Sequence, residues 1–185
     1  RMEQSGTSSG LYDLKNTFES LSKQPQAGKQ MEGFYGLALI AQRQGKVDQA
    51  EAYLQQARNL AQAASAPGSP IQRQSLSLDI TASELALAKG KGEEALQIAQ
   101  ATLNAYPQSY AAGVAMINAE LKLGKTNDAI NWLKARTRLQ PNEVVWWSLL
   151  SNAYDQAKNV PLRHYALGEK YALEGAWPSA ICLMR

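Results

Sequence analysis

The chain has 185 residues, of which 45% are hydrophobic, and it carries a formal net charge of +3 with a pI near 9.0. This composition predicts one folded domain or one short helical array and excludes a disordered chain. The Lys and Arg residues are scattered, so no basic run indicates a nucleic-acid site. No apolar run reaches the roughly 18 residues that a membrane span requires, so no direct membrane span is expected.

The first predicted element is an amphipathic helix. Residues 1–10 are polar and are expected to form a frayed N-terminal segment. From Leu11 to Leu21, apolar residues recur at helical spacing. This pattern predicts a leading helix at 11–23 that packs on the element that follows it.

A repeated turn follows the leading helix. In three segments a predicted helix ends at a glycine, and the next helix carries an alanine five residues later. The glycine–alanine pairs are Gly45–Ala50, Gly90–Ala95 and Gly124–Ala129. Glycine can adopt the left-handed conformation that closes a helix. Gly90 and Gly124 lie 34 residues apart, which is the tetratricopeptide (TPR) period.

The spacing predicts four helix pairs and part of a fifth. Pro107 and Pro141, also 34 residues apart, end second helices. The predicted repeats cover about 31–64, 76–109, 110–143 and 144–175, with helices at 144–158 and about 162–174 in the fourth and a partial last helix at 177–185.

Two irregularities interrupt this regular array. Segment 64–72, rich in Ser, Pro and Gly, is predicted to be a loop insertion. The helix that ends at Gly175 is predicted to serve two repeats, because Ala180 again lies five residues beyond a glycine. The predicted fold is an all-α, TPR-like α-α superhelix, a right-handed array of helix pairs in a single domain over 11–185.

The first helices of such an array line its concave face, which we predict to bind a protein or peptide. Asn118 and Asn152 lie at the same repeat position, and a side-chain amide can both donate to and accept from a peptide backbone. The pair is therefore either an anchor for a partner or an ordinary solvated surface. The residues predicted to face this side are Tyr35, Leu39, Arg43, Ile80, Glu84, Leu87, Val114, Asn118, Lys122, Ser148, Asn152 and Gln156.

Two adjacent tryptophans begin the fourth repeat. Trp147 is in register for the core, and neighbours on a helix face different directions. Trp146 is therefore either an exposed aromatic of the kind enriched in interfaces or a residue buried against the preceding repeat. Trp132 and Trp177 are predicted to be packing residues.

The sequence contains one histidine and one cysteine. His164 has no His, Cys or acidic residues around it at metal-ligand spacing, and Cys182 is expected to be a small buried apolar residue. The sequence lacks an H-E-x-x-H motif, a Gly-rich phosphate loop and a nucleophile elbow. We therefore predict no catalytic residue, no metal site and no cofactor in this chain.

The order of segments resembles the C-terminal TPR region of the BepA-like (β-barrel assembly-enhancing) periplasmic zinc metallopeptidases. The resemblance covers nearly the whole chain, and the irregular end with its shared helix is its most specific part. The matching stretches are 34–39 (FYGLAL) with 45–50 (GKVDQA), 127–133 (NDAINWL), 147–154 (WSLLSNAY), and 168–175 (GEKYALEG) with 179–181 (SAI).

This resemblance implies a non-catalytic module of a longer protein, an expectation that also fits a chain beginning at Arg1 rather than Met. It implies a periplasmic location and a role in quality control of outer-membrane proteins. The implied partners are the parent's own protease domain, substrate proteins and the outer-membrane protein assembly machinery. Zinc would belong to the parent's protease domain, and no zinc ligand carries over to this chain. The alternative is a free-standing TPR scaffold or adaptor protein that is not linked to a protease.

Overall fold

A computed structural model describes residues 4–63 and 71–183, with side chains from residue 10 and, after the gap, from residue 76. Within these ranges the chain forms ten α-helices and no strand. The helices are α1 Gln4–Ser22, α2 Ala27–Arg43, α3 Val47–Ala63, α4 Ile71–Ala88, α5 Gly92–Ala105, α6 Tyr110–Lys122, α7 Thr126–Leu139, α8 Val144–Gln156, α9 Val160–Leu173 and α10 Trp177–Leu183.

The turns between paired helices share one geometry. Gly45, Gly90 and Gly124 have φ values of 73°, 76° and 74°, as the repeated glycine predicted. After each glycine, the next amide donates to the carbonyl five residues earlier; the Lys91 amide, for example, lies 2.9 Å from the Ala86 oxygen. This is the Schellman motif, which satisfies the last carbonyls of a helix.

In the fourth helix pair, the turn residue between the two helices is a lysine instead of a glycine. Lys158 lies 34 residues after Gly124 and has a φ of 55°. Its turn keeps the Schellman hydrogen bonds, since the Asn159 amide donates to the Tyr154 oxygen at 2.9 Å. The predicted helix at 144–158 was therefore too long, because the sequence offers no glycine to mark its end.

The chain divides into two compact units, with the boundary between Met116 and Ile117 within α6. The first unit has an apolar core between α2, α3 and α4. Helix α1 packs closely on α2 at Gly33, where an added Cβ would lie 2.3 Å from the Ser22 amide nitrogen. In α4, the buried Ser83 hydroxyl donates to the Ala95 oxygen of α5 at 2.9 Å.

The second unit, from Ile117, contains helix pairs that share a helix. Helix α8 packs against α7 and α9, and α9 also packs against α10. Gly175, with a φ of 77°, forms the turn between α9 and α10, as its spacing to Ala180 predicted. Trp147 of α8, predicted to be in register for the core, is buried together with Leu150, Ser151 and Tyr154.

Two predicted segments differ from the structure or lie partly outside the described residues. Helix α1 begins at Gln4, so residues 4–10 are helical where a frayed segment was expected; once a helix is nucleated, each further residue adds a backbone hydrogen bond. Of the predicted loop at 64–72, residues 64–70 lie outside the described residues and the last two begin α4. The single domain over 11–185 stays a prediction.

Candidate protein-interaction surfaces

The predicted binding residues of the first unit lie on α2, α4 and the first part of α6. Helices α2 and α4 pack against each other, and the Tyr35 hydroxyl lies 3.3 Å from Thr81 Oγ1. Further along the same two helices, Gln42 Nε2 donates to Glu84 Oε2 at 2.9 Å. These hydrogen bonds tie two of the predicted residues to the neighbouring helix and so reduce their freedom to bind a partner.

The predicted binding residues of the first unit differ in their exposure to solvent. Leu39 keeps 40% of its surface exposed, and Arg43 is also exposed. The half-buried residues are Tyr35, Ile80, Leu87 and Val114. Beside Tyr35, a cavity of about 160 Å³ lies between α2 and α4, lined by Met31, Glu32, Tyr35, Ser77 and Leu78.

The predicted residues of the second unit lie on α6 and α8, and all except the half-buried Ser148 are exposed. Asn118 lies between the buried residues Ile117 and Ala119, and Asn152 lies between buried neighbours in the same way. Among the described residues, neither side-chain amide makes a hydrogen bond, so both keep a donor and an acceptor for a partner.

Trp146 is not the exposed aromatic that one of our two alternatives expected. Only 2% of its surface is exposed, and its Nε1 donates to Gln140 Oε1 at 2.8 Å. The rings of Trp146 and Trp132 meet edge to face, with ring centroids 5.5 Å apart and an interplanar angle of 75°. The burial alternative is therefore correct, because α7 and the turn before α8 cover a position that helical register alone leaves open.

A groove in the second unit was not predicted from the sequence. It has a volume of about 280 Å³ and lies between α7 and α9, above α8. Trp147 and Tyr165 meet edge to face in it, with ring centroids 5.9 Å apart. Burial and the nearby Glu169 raise the pKa of Tyr165. The groove is lined by Lys134, Thr137, Arg138, Trp147, Leu150, Tyr154, Leu162 and Tyr165.

One carboxylate is buried without a hydrogen-bond partner for one of its oxygens. Glu120, at the end of α6, is 6% exposed, and its Oε2 accepts no hydrogen bond from any described residue. Burial, reinforced by the charge of Asp128, raises the pKa of Glu120, and Lys125 opposes this shift. Glu120 occupies the repeat position that Ala86 and Tyr154 occupy in other repeats, so it is a polar residue at a core position.

The single histidine and cysteine are not among the residues that line these surfaces. His164 is half-buried, and its Nε2 lies 3.1 Å from Arg163 Nη2. Cys182 is exposed, which corrects its expected burial, because only Ala180 of the short helix α10 is buried. Trp177, expected to pack, is 61% exposed for the same reason.

Neither a metal-binding cluster nor a membrane-spanning helix is present in residues 4–63 and 71–183. No group of three or more His, Cys, Asp or Glu residues there is arranged to hold a metal ion. No helix in the same ranges is long and apolar enough to cross a membrane.

Comparisons with known proteins agree with this helical arrangement. The tetratricopeptide repeat family profile matches residues 86–153, which run from the end of α4 into α8. The comparison with curated proteins gave no match. Among solved structures, the chain is similar to YrrB, "a TPR protein with an unusual peptide-binding site", with a TM-score of 0.62 and 11% identity over 96% of this chain and 84% of that chain. The predicted all-α, TPR-like α-α superhelix fold is thereby confirmed, and this fold is typical of protein–protein interaction modules.

Proposed function

We propose that the chain is a protein–protein interaction module that binds an extended segment of a partner on the exposed polar side chains of α6 and α8. The observation that carries this proposal is a pair of exposed side-chain amides, Asn118 and Asn152, at the same position of consecutive repeats, which make no hydrogen bond to the residues that the structure describes. Amides at this spacing can hydrogen-bond to a peptide backbone without selecting its side chains.

The neighbours of Asn152 extend this polar strip along α8. Ser148 and Gln156 lie four residues before and after Asn152, and residues at that spacing share one helix face. The opposite face of α8 is buried, so the strip is the part of the helix available to a partner. YrrB is described as having a peptide-binding site, which makes a peptide a reasonable first ligand to test.

The test is a selection of random-sequence peptides displayed on phage against the purified chain. Bound peptides are then titrated against the double variant Asn118→Ala/Asn152→Ala and against a matched control, Asn127→Ala/Asn131→Ala, which removes two exposed amides from α7. Because one hydrogen bond contributes about 1 kcal/mol, losing two should weaken binding by about tenfold or more. Unchanged affinity in the double variant, or an equal loss in the control, would refute the proposal.

We further propose that this module belongs to a periplasmic zinc metallopeptidase of outer-membrane protein quality control. The support is the resemblance of the segment order and of the shared helix α9, together with the TPR-like fold. On this proposal, zinc and catalysis belong to a protease domain outside this chain, and the module presents substrates or assembly-machinery proteins to that domain. The coding sequence upstream of Arg1 tests it, since an H-E-x-x-H motif there is expected.

The alternative is a free-standing TPR scaffold or adaptor. A start codon close to Arg1, with no protease motif upstream, would favour this alternative over the protease module. A separate assay addresses catalysis directly: peptidase activity of the purified chain that depends on added zinc would overturn the assignment of a purely binding role.

A further inference from the structure

We propose that the groove between α7 and α9 is a second docking site, which binds an acidic segment of a partner protein. In this site an aliphatic or aromatic side chain of the segment enters the cavity, and flanking carboxylates pair with Lys134 and Arg138. The groove is formed by second helices, so this site is separate from the polar strip on α6 and α8.

The cavity provides an apolar floor and an exposed apolar wall. Trp147, Leu150 and Tyr154 of α8 form the floor and are nearly fully buried. On α9, Leu162 is 40% exposed and Tyr165 is 47% exposed, so two large side chains border the open side. A volume of about 280 Å³ accommodates one or two large side chains of a partner and would remove this apolar surface from water.

The rim of the groove supplies positive charge that no ion pair among the described residues neutralises. Lys134 and Arg138 lie one helical turn apart on α7, and both are exposed. Among residues 10–63 and 76–183, neither side chain forms an ion pair. On α9, Arg163 is already paired with Asp155 at 2.7 Å, and Glu169 lies beside Tyr165.

The whole second unit carries a net positive charge, as the rim of the groove does. Residues 117–185 hold nine of the 19 Lys and Arg residues but only six of the 16 Asp and Glu residues. The entire net charge of +3 is therefore located in this unit, and the first unit is neutral. A positive surface attracts acidic partners and disfavours basic ones.

The equivalent groove of the first unit shows that this arrangement does not follow from the repeat architecture alone. That groove lies between α3 and α5 and has a volume of about 110 Å³. Its charges are paired internally: Arg58 lies 2.9 Å from Asp79, and Lys91 lies 3.1 Å from Glu94. Of these two grooves, only that of the second unit combines a larger cavity with basic side chains that form no ion pair among the described residues.

The test uses fluorescein-labelled peptides with one phenylalanine flanked on both sides by aspartates. Two matched peptides replace either the phenylalanine by alanine or the aspartates by lysines. Fluorescence anisotropy with the full chain is expected to give affinities about tenfold or more weaker for both matched peptides. The affinity of the acidic peptide should also fall with added salt, because exposed charges are screened.

Variants of the protein locate the binding site. Lys134→Glu/Arg138→Glu should weaken binding of the acidic peptide by about tenfold or more, because attraction becomes repulsion. The control Lys29→Glu/Lys46→Glu changes the net charge equally on exposed lysines of the first unit and should leave affinity within about twofold. Leu162→Gln changes no charge and should weaken binding through the lost apolar wall.

Several outcomes would overturn the proposal. They are equal binding of the acidic peptide and its matched peptides, unchanged affinity in the Lys134/Arg138 variant, or an equal loss in the Lys29/Lys46 control. Tighter binding of a single-stranded oligonucleotide to the same residues would also overturn it. The variant Asn118→Ala/Asn152→Ala should bind the acidic peptide normally, which separates failure of this site from failure of the polar strip.

Discussion

Replacing Lys158 by glycine is expected to stabilise the protein. Lys158 is the only residue other than glycine with a positive φ in the described part of the chain. It occupies the turn position that Gly124 occupies in the preceding repeat, and its side chain is exposed with no ion pair among the described residues. The substitution therefore relieves a backbone constraint without removing a side-chain contact that stabilises the fold.

The magnitude of this gain follows from the conformation of the turn. An L-residue in the left-handed region costs roughly 1–2 kcal/mol, because its Cβ crowds the following carbonyl oxygen. Glycine loses more conformational freedom on folding, which offsets roughly 0.5–1 kcal/mol of that gain. The net effect of Lys158→Gly is about 1 kcal/mol, or a rise in Tm of about 2–4 °C for a chain of this size.

Thermal unfolding followed by circular dichroism measures this effect, and two further variants serve as controls. Lys158→Ala keeps the Cβ and should leave Tm nearly unchanged. Gly124→Ala, at a φ of 74° where an added Cβ meets no atom within 4 Å, should lower stability by about 1 kcal/mol through conformation alone. If Lys158→Ala raised Tm as much as Lys158→Gly, the gain would come from loss of the lysine side chain and the reasoning would be wrong.

Three further substitutions probe packing and buried charge. Gly33→Ala places a Cβ against the Ser22 backbone, so it should cost about 1–3 kcal/mol and make α1 more sensitive to limited proteolysis; unchanged cleavage would contradict the close approach. Trp146→Phe removes the hydrogen bond to Gln140 and part of a buried ring, and urea denaturation should report a loss of about 1–2 kcal/mol rather than none. Glu120→Met should stabilise the chain by about 1–3 kcal/mol at pH 7, because it removes a buried oxygen that has no hydrogen-bond partner in the described part of the chain. The pKa of Glu120 is raised in the folded state, so its carboxylate destabilises the fold increasingly as pH rises above 4.5, the ordinary pKa of glutamate. The stability gained by Glu120→Met should therefore be smaller at pH 4 than at pH 7.

Local chemistry made the repeat predictable from the sequence. A glycine at the end of each first helix and an alanine five residues later follow from rules that act within one turn, and Gly45, Gly90 and Gly124 all adopt the expected conformation. The turn at Lys158 was missed because the same rules point to glycine. Its position 34 residues after Gly124 was the available signal, since the packing of α8 against α9 imposes the turn on whatever residue lies there.

Features that depend on several helices were not predictable in this way. The burial of Trp146 requires Gln140 and Trp132, which precede it on other elements. The exposure of Cys182 depends on what packs against α10, and a helical pattern carries no information about that. Residues of three helices, α7, α8 and α9, together form the groove, so the spacing of Lys134 and Arg138 within α7 could not reveal it.

Ion pairs and aromatic contacts join helices in both units, since Phe34 meets Tyr53 between α2 and α3 and Arg163 pairs with Asp155 between α8 and α9, but the tryptophans are confined to the second unit. In the first unit, charged residues pair across helices, as Arg58 does with Asp79 and as Lys89 does with Asp48 and Glu51. All four tryptophans of the chain lie in the second unit, where aromatic contacts join α7 to α8 and α8 to α9. Aromatic packing leaves charged and amide side chains of that unit, such as Lys134 and Asn152, available to other molecules. Both proposed binding surfaces accordingly lie in residues 117–185, and charge reversals confined to the first unit should change neither.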